Sequence, residues 1–353
     1  MGGEIEMRQQ IAFVNVAGAR VAYATMGAGR PLVFPPPSFG HLGVELESEP
    51  VREFFEVLAS QFTLIRYDRL GTGLSDRVRP PESLTLDFEV DVLEALIDEL
   101  EIGRTSLFGF SYGGVVAAAL AARRPERVRR LLLYGSYADG ATITSAALLR
   151  SVTGVLRNDW DLGSRLLAEA FAPESDEESA AHFVRLRRES CDGDMAASLL
   201  ELWWRTDLRD VLGQISAPTL VLHRSEDHVV PIALGRALAA LIPAAHFQVL
   251  EGRFHLPWLG DRDEVLRSAG AFLGFAPPPP TGPERRAEQP ITLTARETEV
   301  LRLVAEGLND SGIAERLVLS SHTVHRHVAN IRARLGAPSR AAAAAYAARQ
   351  GLI

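Results

Sequence analysis

The 353-residue chain contains no lysine: all 37 of its basic residues are arginine. We read that as coding bias, not function. Cysteine occurs once, at Cys191, so no internal disulfide can form, which fits a reducing compartment. Long apolar runs are missing too. The longest, such as Val115 to Ala122, are far too short to span a bilayer. The first residues, M-G-G-E-I-E-M-R-Q-Q, hold no apolar segment of signal-peptide length. These absences exclude a disulfide scaffold and predict a cytoplasmic protein with no membrane partner. Nothing in the chain calls for a cofactor or a metal.

Positive charge is scarce overall, with a net of −8, which alone argues against nucleic-acid binding. It is unevenly spread, however. Residues 291–353 carry eight arginines against five carboxylates, a net of +3, which leaves −11 on the rest. That asymmetry predicts one DNA-facing end on an acidic body. The two parts are separated by F-A-P-P-P-P-T-G-P-E-R-R-A-E-Q-P, Phe275 to Pro290. Proline fixes φ and lacks the amide donor, so this segment reads as a stiff, extended tether. The expected domains are therefore 1–275 and 291–353, with 276–290 as a linker.

Upstream of the tether, short β-rich runs alternate with amphipathic stretches. The strand candidates are Ala12 to Val16, Val21 to Thr25, Pro31 to Phe34, Thr63 to Tyr67, Ser106 to Phe108, Arg130 to Tyr134, Thr219 to His223 and His246 to Leu250. Helix candidates lie between them: Glu49 to Ser60, Thr85 to Leu100, Gly113 to Arg123, Ile232 to Leu241 and Asp263 to Phe272. The alternation predicts an α/β fold with a doubly wound, mostly parallel sheet. Between Tyr137 and Ile215 the strand pattern stops and the chain looks helical. That segment, about 138–215, reads as a cap over the carboxyl edge of the sheet, where α/β proteins bind ligands. Its aromatic residues Trp203 and Trp204, with Phe39 below, are candidate walls of a small-molecule pocket.

Gly109-Phe110-Ser111-Tyr112-Gly113 fits G-x-S-x-G, between a strand and a helix. Glycines are needed there because the turn leaves no room for side chains beside the serine, and the helix start aims amides at developing negative charge. An activated serine requires a base, and the base an orienting carboxylate. Asp227, in H-R-S-E-D-H-V-V-P, and His255, in L-E-G-R-F-H-L-P-W, each lie just beyond a strand candidate.

Together with the loop Y-D-R-L-G-T-G-L-S at Tyr67 to Ser75, these motifs make residues 11–275 resemble the α/β-hydrolase superfamily. The resemblance implies Ser111 as nucleophile, His255 as general base and Asp227 as its orienter. It also implies an oxyanion hole from the Tyr112 amide and one amide in the loop after Phe34. That loop departs from the family: Pro35-Pro36-Pro37-Ser38-Phe39 stands where a His-Gly pair is usual. If Ser38 occupies the donor position the hole survives; if Pro37 does, one donor is gone, at a cost of about 100- to 1000-fold in rate.

In the basic end, Thr294 and Glu297 form a capping-box pattern ahead of Val300, Leu301 and Val304 on one helical face. A short helix, Asp310 to Leu317, and the turn Val318-Leu319-Ser320 follow, with Ser320 placed to cap a longer helix from Ser321 to Leu335. Val324, Val328, Ile331 and Leu335 line its buried face. On the other face, Arg326 can grip guanine and Asn330 can read adenine, beside His325. Thr323, Arg332 and Arg334 flank these and can hold phosphates. The segment resembles the LuxR-type helix-turn-helix in L-T-A-R-E-T-E-V-L, I-A-E-R-L, L-S-S-H-T-V-H-R-H-V and R-L-G-A-P-S-R-A-A-A. That resemblance implies binding to double-stranded DNA as a homodimer. It is broken at Asp310-Ser311-Gly312, where relatives commonly carry a Lys-Glu pair.

The two halves predict a DNA-binding transcriptional regulator whose hydrolase-fold domain senses, and can hydrolyse, a small ester- or lactone-like molecule. The alternative is an active serine esterase or lactonase with an accessory DNA-binding module.

Overall fold

The sheet is built from β1 (Gln10–Val16), β2 (Ala19–Met26), β3 (Arg30–Phe34), β4 (Phe62–Tyr67), β5 (Thr105–Phe110), β6 (Val128–Tyr134), β7 (Thr219–Arg224) and β8 (His246–Leu250). The computed structural model describes residues 8–77, 83–172, 177–276, 295–306, 308–317, 319–320 and 323–328, with Ile331, Arg340, Ala343 and Ala344. All eight strand candidates are strands, in the order β1-β2-β4-β3-β5-β6-β7-β8. β1 to β2 and β2 to β4 are antiparallel; every later pairing is parallel.

The helices are α1 (Leu42–Glu45), α2 (Glu49–Ala59), α3 (Leu86–Glu99), α4 (Tyr112–Arg123), α5 (Ala146–Asn158), α6 (Trp160–Phe171), α7 (Glu177–Ser190), α8 (Gly193–Arg205), α9 (Ile232–Leu241), α10 (Arg262–Leu273), α11 (Ala295–Ala305) and α12 (Asp310–Leu317). Side-chain caps start several of them, as the orphan amides of a helix terminus require. Thr85, Ser145, Asp159 and Asp192 accept from the amides of Phe88, Leu148, Leu162 and Met195.

Successive strand residues point to opposite faces, and both faces are covered. Leu131 and Leu133 of β6 join Val116 and Leu120 of α4 and Leu93 of α3 in one core. Leu132 and Tyr134, one residue along, join Phe54 and Phe55 of α2 and Leu266 of α10 in the other. Burial on both sides explains why β5 and β7 are buried at every position and read in sequence as apolar runs without alternation.

β3 lies between β4 and β5, so the strand order reverses beside it. Such a switch point opens a crevice outside the carboxyl ends of the strands. The loop after β3 and the turn after β5 flank it. Helices α5 to α8 interrupt the chain between β6 and β7.

The chain divides into two compact units, Met1–Pro278 and Pro279–Ile353. In the second, Val300, Leu301, Val304, Ile313, Val324 and Ile331 are buried together, with Leu317 and Val328 packed against them. Residues 323–328 are helical. Ser320 accepts from the Thr323 amide at 3.1 Å, so the serine caps that helix. Asn309 caps α12 through the Gly312 amide at 2.9 Å, a compensation for glycine's helix penalty of about 1 kcal/mol. Thr294, Gly307, Leu335 and the tether lie outside the described residues. Among the described residues no helix is long and apolar enough to cross a membrane.

Candidate active site

Ser111 sits at the apex of the turn between β5 and α4 with φ 52° and ψ −128°. For a residue with a Cβ this backbone is strained by about 1–3 kcal/mol and persists only when the surroundings enforce it. They do. The Ser111 amide donates to the Tyr134 carbonyl at 2.9 Å. Its carbonyl accepts from Ser136 Oγ at 2.9 Å and from the Gly114 amide at 3.0 Å. The flanking glycines are sterically required: a Cβ on Gly109 would lie 2.4 Å from Gly114 Cα, and one on Gly113 would lie 2.4 Å from the Pro35 carbonyl oxygen. The elbow therefore backs directly onto the loop after β3.

His255 and Asp227 lie 144 and 116 residues from Ser111 in sequence, but the sheet brings all three strand ends together. His255 Nε2 is 3.0 Å from Ser111 Oγ, and its Nδ1 is 2.7 Å from Asp227 Oδ2. Asp227 Oδ1 accepts from the amides of Val229 and Val230 at 2.9 and 3.0 Å, so the carboxylate is held from its own loop. With Oδ2 accepting from Nδ1–H, Nε2 is left as an acceptor for the serine proton. Burial alone would raise the Asp227 carboxyl. The charge and hydrogen bond of His255, with the Val230 amide, hold it below the ordinary carboxylate range. A second histidine, His223, donates from Nε2 to the Val230 carbonyl at 2.7 Å and stands 3.6 Å from Asp227 Oδ2. Burial lowers its pKa. The His255 ring packs on Phe110 at 4.9 Å and on Phe171 of α6 at 6.1 Å.

The three prolines of the loop after β3 own no amide hydrogen, so Ser38 is the first residue past Phe34 that does. Two buried arginines grip this loop. Arg69 donates to the carbonyls of Ser38 and Pro36 at 2.8 and 3.0 Å and pairs with Glu89 at 2.7 Å. Arg187 of α7 donates to Ser38 Oγ at 2.9 Å and to the Phe39 carbonyl at 2.8 Å. Neither arginine stands out in sequence. Arg69 belongs to the Y-D-R-L-G-T-G-L-S loop, a signal for position only. Arg187 is one of three arginines in R-L-R-R, with nothing to mark it.

A cavity opens beside the serine elbow, with Phe39, Phe110, Phe183, Leu256 and Trp258 among its apolar walls and Ser38, His182 and Arg187 among its polar ones. Trp203 and Trp204 do not line it. Trp203 is instead a wedge, its ring 5.2 Å from Phe39 and 5.6 Å from Tyr112. Trp204 donates to the Thr144 carbonyl at 3.0 Å, tying α8 to the start of α5. In the second unit, His325 and Arg326 are exposed and Thr323 is half-buried. His325 Nδ1 lies 3.4 Å from Asp310 Oδ2, and Arg340 pairs with the same carboxylate at 2.8 Å. Asp310 is thus engaged within its own unit. Asn330, Arg332 and Arg334 lie outside the described residues.

Residues 37–190 match the family model described as alpha/beta hydrolase fold, and residues 291–347 match that of bacterial regulatory proteins, luxR family. The chain is 32% identical over 235 residues to a 2-hydroxymuconate semialdehyde hydrolase of Pseudomonas sp. (strain CF600), covering 62% of this chain and 79% of that one. It is 25% identical over 273 residues to a pyrrolizixenacetamide deacetylase of Xenorhabdus hominickii, covering 74% and 97%. Among solved structures, a hydrolase from Pseudomonas aeruginosa PA01 superposes with a TM-score of 0.65 at 27% identity, over 75% of this chain and 98% of that one. The enol-lactonase from Burkholderia xenovorans LB400 gives 0.63 at 25% identity, over 74% and 100%.

Proposed function

We propose that this chain, which belongs to the α/β-hydrolase fold family and carries a C-terminal regulatory domain of the bacterial LuxR family, is a cytoplasmic transcriptional regulator responsive to a small ester- or lactone-like molecule. The observation that carries the reading is the unbroken hydrogen-bond chain Ser111–His255–Asp227 in the same polypeptide as a DNA-binding module. Ser111 Oγ attacks the ligand's acyl carbon while His255 Nε2 takes its proton. Asp227 stabilises the imidazolium that forms. The oxyanion is received by the Tyr112 amide, at the N-terminus of α4, and by the Ser38 amide, which the two arginines position. The imidazolium then protonates the leaving oxygen, and water, activated by the same imidazole, releases the acid.

Regulation requires that the ligand bind two states of the protein differently. Thr323, His325, Arg326, Asn330, Arg332 and Arg334 make up the DNA-contacting surface. A module with a net charge of only +3 neutralises few phosphates, so a single copy binds weakly at physiological salt. Pairing two copies in a homodimer raises effective affinity about 100- to 10,000-fold when half-sites are suitably spaced.

The intact triad also favours a second reading, an esterase or lactonase whose DNA module is accessory. One experiment separates the two: turnover of 4-nitrophenyl butyrate and affinity for DNA upstream of the protein's own gene, each for wild type and Ser111→Ala. Loss of turnover by about 10⁴-fold or more in the variant is expected for a working nucleophile. DNA binding that never occurs, with or without ligand, would end the regulatory reading. Turnover equal in the two proteins would end the catalytic one.

A further inference from the structure

Arg224, the last residue of β7, is 1% exposed. It stands in H-R-S-E-D at a strand end, a place where a charged side chain ordinarily meets water. Here it turns inward, and each of its three nitrogens donates. Nη1 reaches the Glu251 carbonyl at 2.7 Å. Nη2 reaches the carbonyls of Leu259 and Asp261 at 3.1 and 3.0 Å. Nε donates to Tyr134 Oη at 3.0 Å. The approach is close: Gly252 has a φ of 113°, and a Cβ on it would lie 3.1 Å from Nη1.

These acceptors are not scattered. Residues 251–261 join β8 to α10 and form neither helix nor strand, so no backbone ladder fixes their place. Glu251, Leu259 and Asp261 lie toward the two ends of that loop, and His255 lies between them. Tyr134 adds an attachment beside the base, since its Oη donates to the Phe254 carbonyl at 3.3 Å. Burial raises the Tyr134 phenol above its ordinary range, so it keeps the proton it donates while accepting from Arg224. The backbone carbonyl of the same tyrosine receives the Ser111 amide. Arg224 is thus tied to all three parts of the triad. It ends the strand before Asp227, staples both ends of the His255 loop, and connects through Tyr134 to the serine elbow.

Taking a guanidinium out of water is expensive, and an apolar residue of similar volume often serves stability as well or better. An apolar residue cannot hold several carbonyls in fixed directions, which the planar fork of arginine does. Direction matters at this loop, because His255 Nε2 is 3.0 Å from Ser111 Oγ and a misplacement of about 1 Å can cost about 100-fold in rate. We propose that Arg224 is a positioning residue for the general base: with Tyr134 it locks the loop that holds His255 at reacting distance from Ser111. This rests on the reading above that Ser111, His255 and Asp227 act as a catalytic triad. Arg224 touches no reacting atom and acts only through His255.

The test is turnover of 4-nitrophenyl butyrate by the full-length protein, with kcat expressed per site titrated by a 4-nitrophenyl phosphonate, so that misfolded protein is not counted. Tyr134→Phe keeps the ring and the carbonyl that receives Ser111 but deletes the hydroxyl. It is expected to lower kcat by about 10-fold and Arg224→Met by about 100-fold, each with KM within about twofold of wild type. Arg224→Lys is expected to recover part of the loss. Amide hydrogen exchange over residues 251–261 should quicken about tenfold or more in Arg224→Met, with β5 and α4 unchanged. Wild-type kcat in both Tyr134→Phe and Arg224→Met, a rise in KM in place of a fall in kcat, or unchanged exchange over the loop overturns the proposal and leaves the catalytic reading standing. If Arg224→Met fails to fold, Tyr134→Phe decides alone. Wild-type turnover no greater than that of Ser111→Ala ends the catalytic reading itself, and the role assigned to Arg224 falls with it.

Discussion

Arg69 and Arg187 hold the same loop from two parts of the molecule, one from the sheet and one from the helices inserted after it. Both are almost fully buried. Every nitrogen of Arg69 has a partner, a carboxylate on Nε and a carbonyl on each of the other two. Arg187 is complete on one nitrogen only. A buried charge whose donors are all met fixes geometry, because any other arrangement strands it. The difference separates a clamp partnered on every nitrogen from one partnered on a single nitrogen.

Removing one partner from the completed cluster should have the largest effect. Glu89→Leu strands Arg69 and is expected to cost about 3–5 kcal/mol, read as a lower urea midpoint with unchanged slope. A loss under about 1 kcal/mol would mean the pair is no anchor. Gly113→Ala attacks the same loop from the elbow, where the new Cβ would meet the Pro35 carbonyl oxygen at 2.4 Å. Overpacking of this kind should cost about 1–3 kcal/mol, outweighing the gain in helix propensity of about 1 kcal/mol; a stabilised variant would refute the close approach.

Asp227 provides a third buried charge, completed like Arg69. Its carboxyl is held below the usual range, so its contribution is present above the unfolded value of about 3.9 and is lost as pH falls through the lower folded value. Wild type should therefore lose thermal stability more steeply below about pH 4 than Asp227→Asn; parallel acid limbs would contradict this. In the second unit, where the anchor is a neutral cap, Ser320→Ala should cost about 1 kcal/mol, measured by thermal melting of the full chain's C-terminal transition. Arg187→Met should shift unliganded stability least, by less than about 1 kcal/mol, since removing a stranded charge offsets the two hydrogen bonds lost. A loss like that of Glu89→Leu would place Arg187 with Arg69 as a structural anchor.

Much of this molecule is legible in the chain. Apolar runs such as Leu131–Tyr134 announce strands buried on both faces, and all eight strands fall where their residues predict. Ser111, Asp227 and His255 each follow a strand, so a parallel sheet necessarily delivers them to one edge. Ser320 caps its helix as its position requires. Other features are not legible. Trp203 and Trp204 read as pocket walls, but Trp203 is a wedge against Phe39 and Tyr112 and Trp204 a tie to Thr144. Aromatic residues on an amphipathic helix announce burial without saying what they meet. Arg187 is the opposite case, a charged residue in R-L-R-R-E-S that reads as a solvated helix face.

Local physics settled the parts that depend on neighbours in sequence: strand and helix positions, the glycine-flanked elbow, the caps. These rest on backbone sterics and periodicity, which operate over a few residues. Tertiary packing alone decided which charges are satisfied. Whether Arg187 faces water, a carboxylate or an open cavity depends on how α7 meets the loop after β3, 148 residues away in sequence. Desolvation is a property of everything within a few ångströms of a group, and the order of residues along a chain does not contain that set.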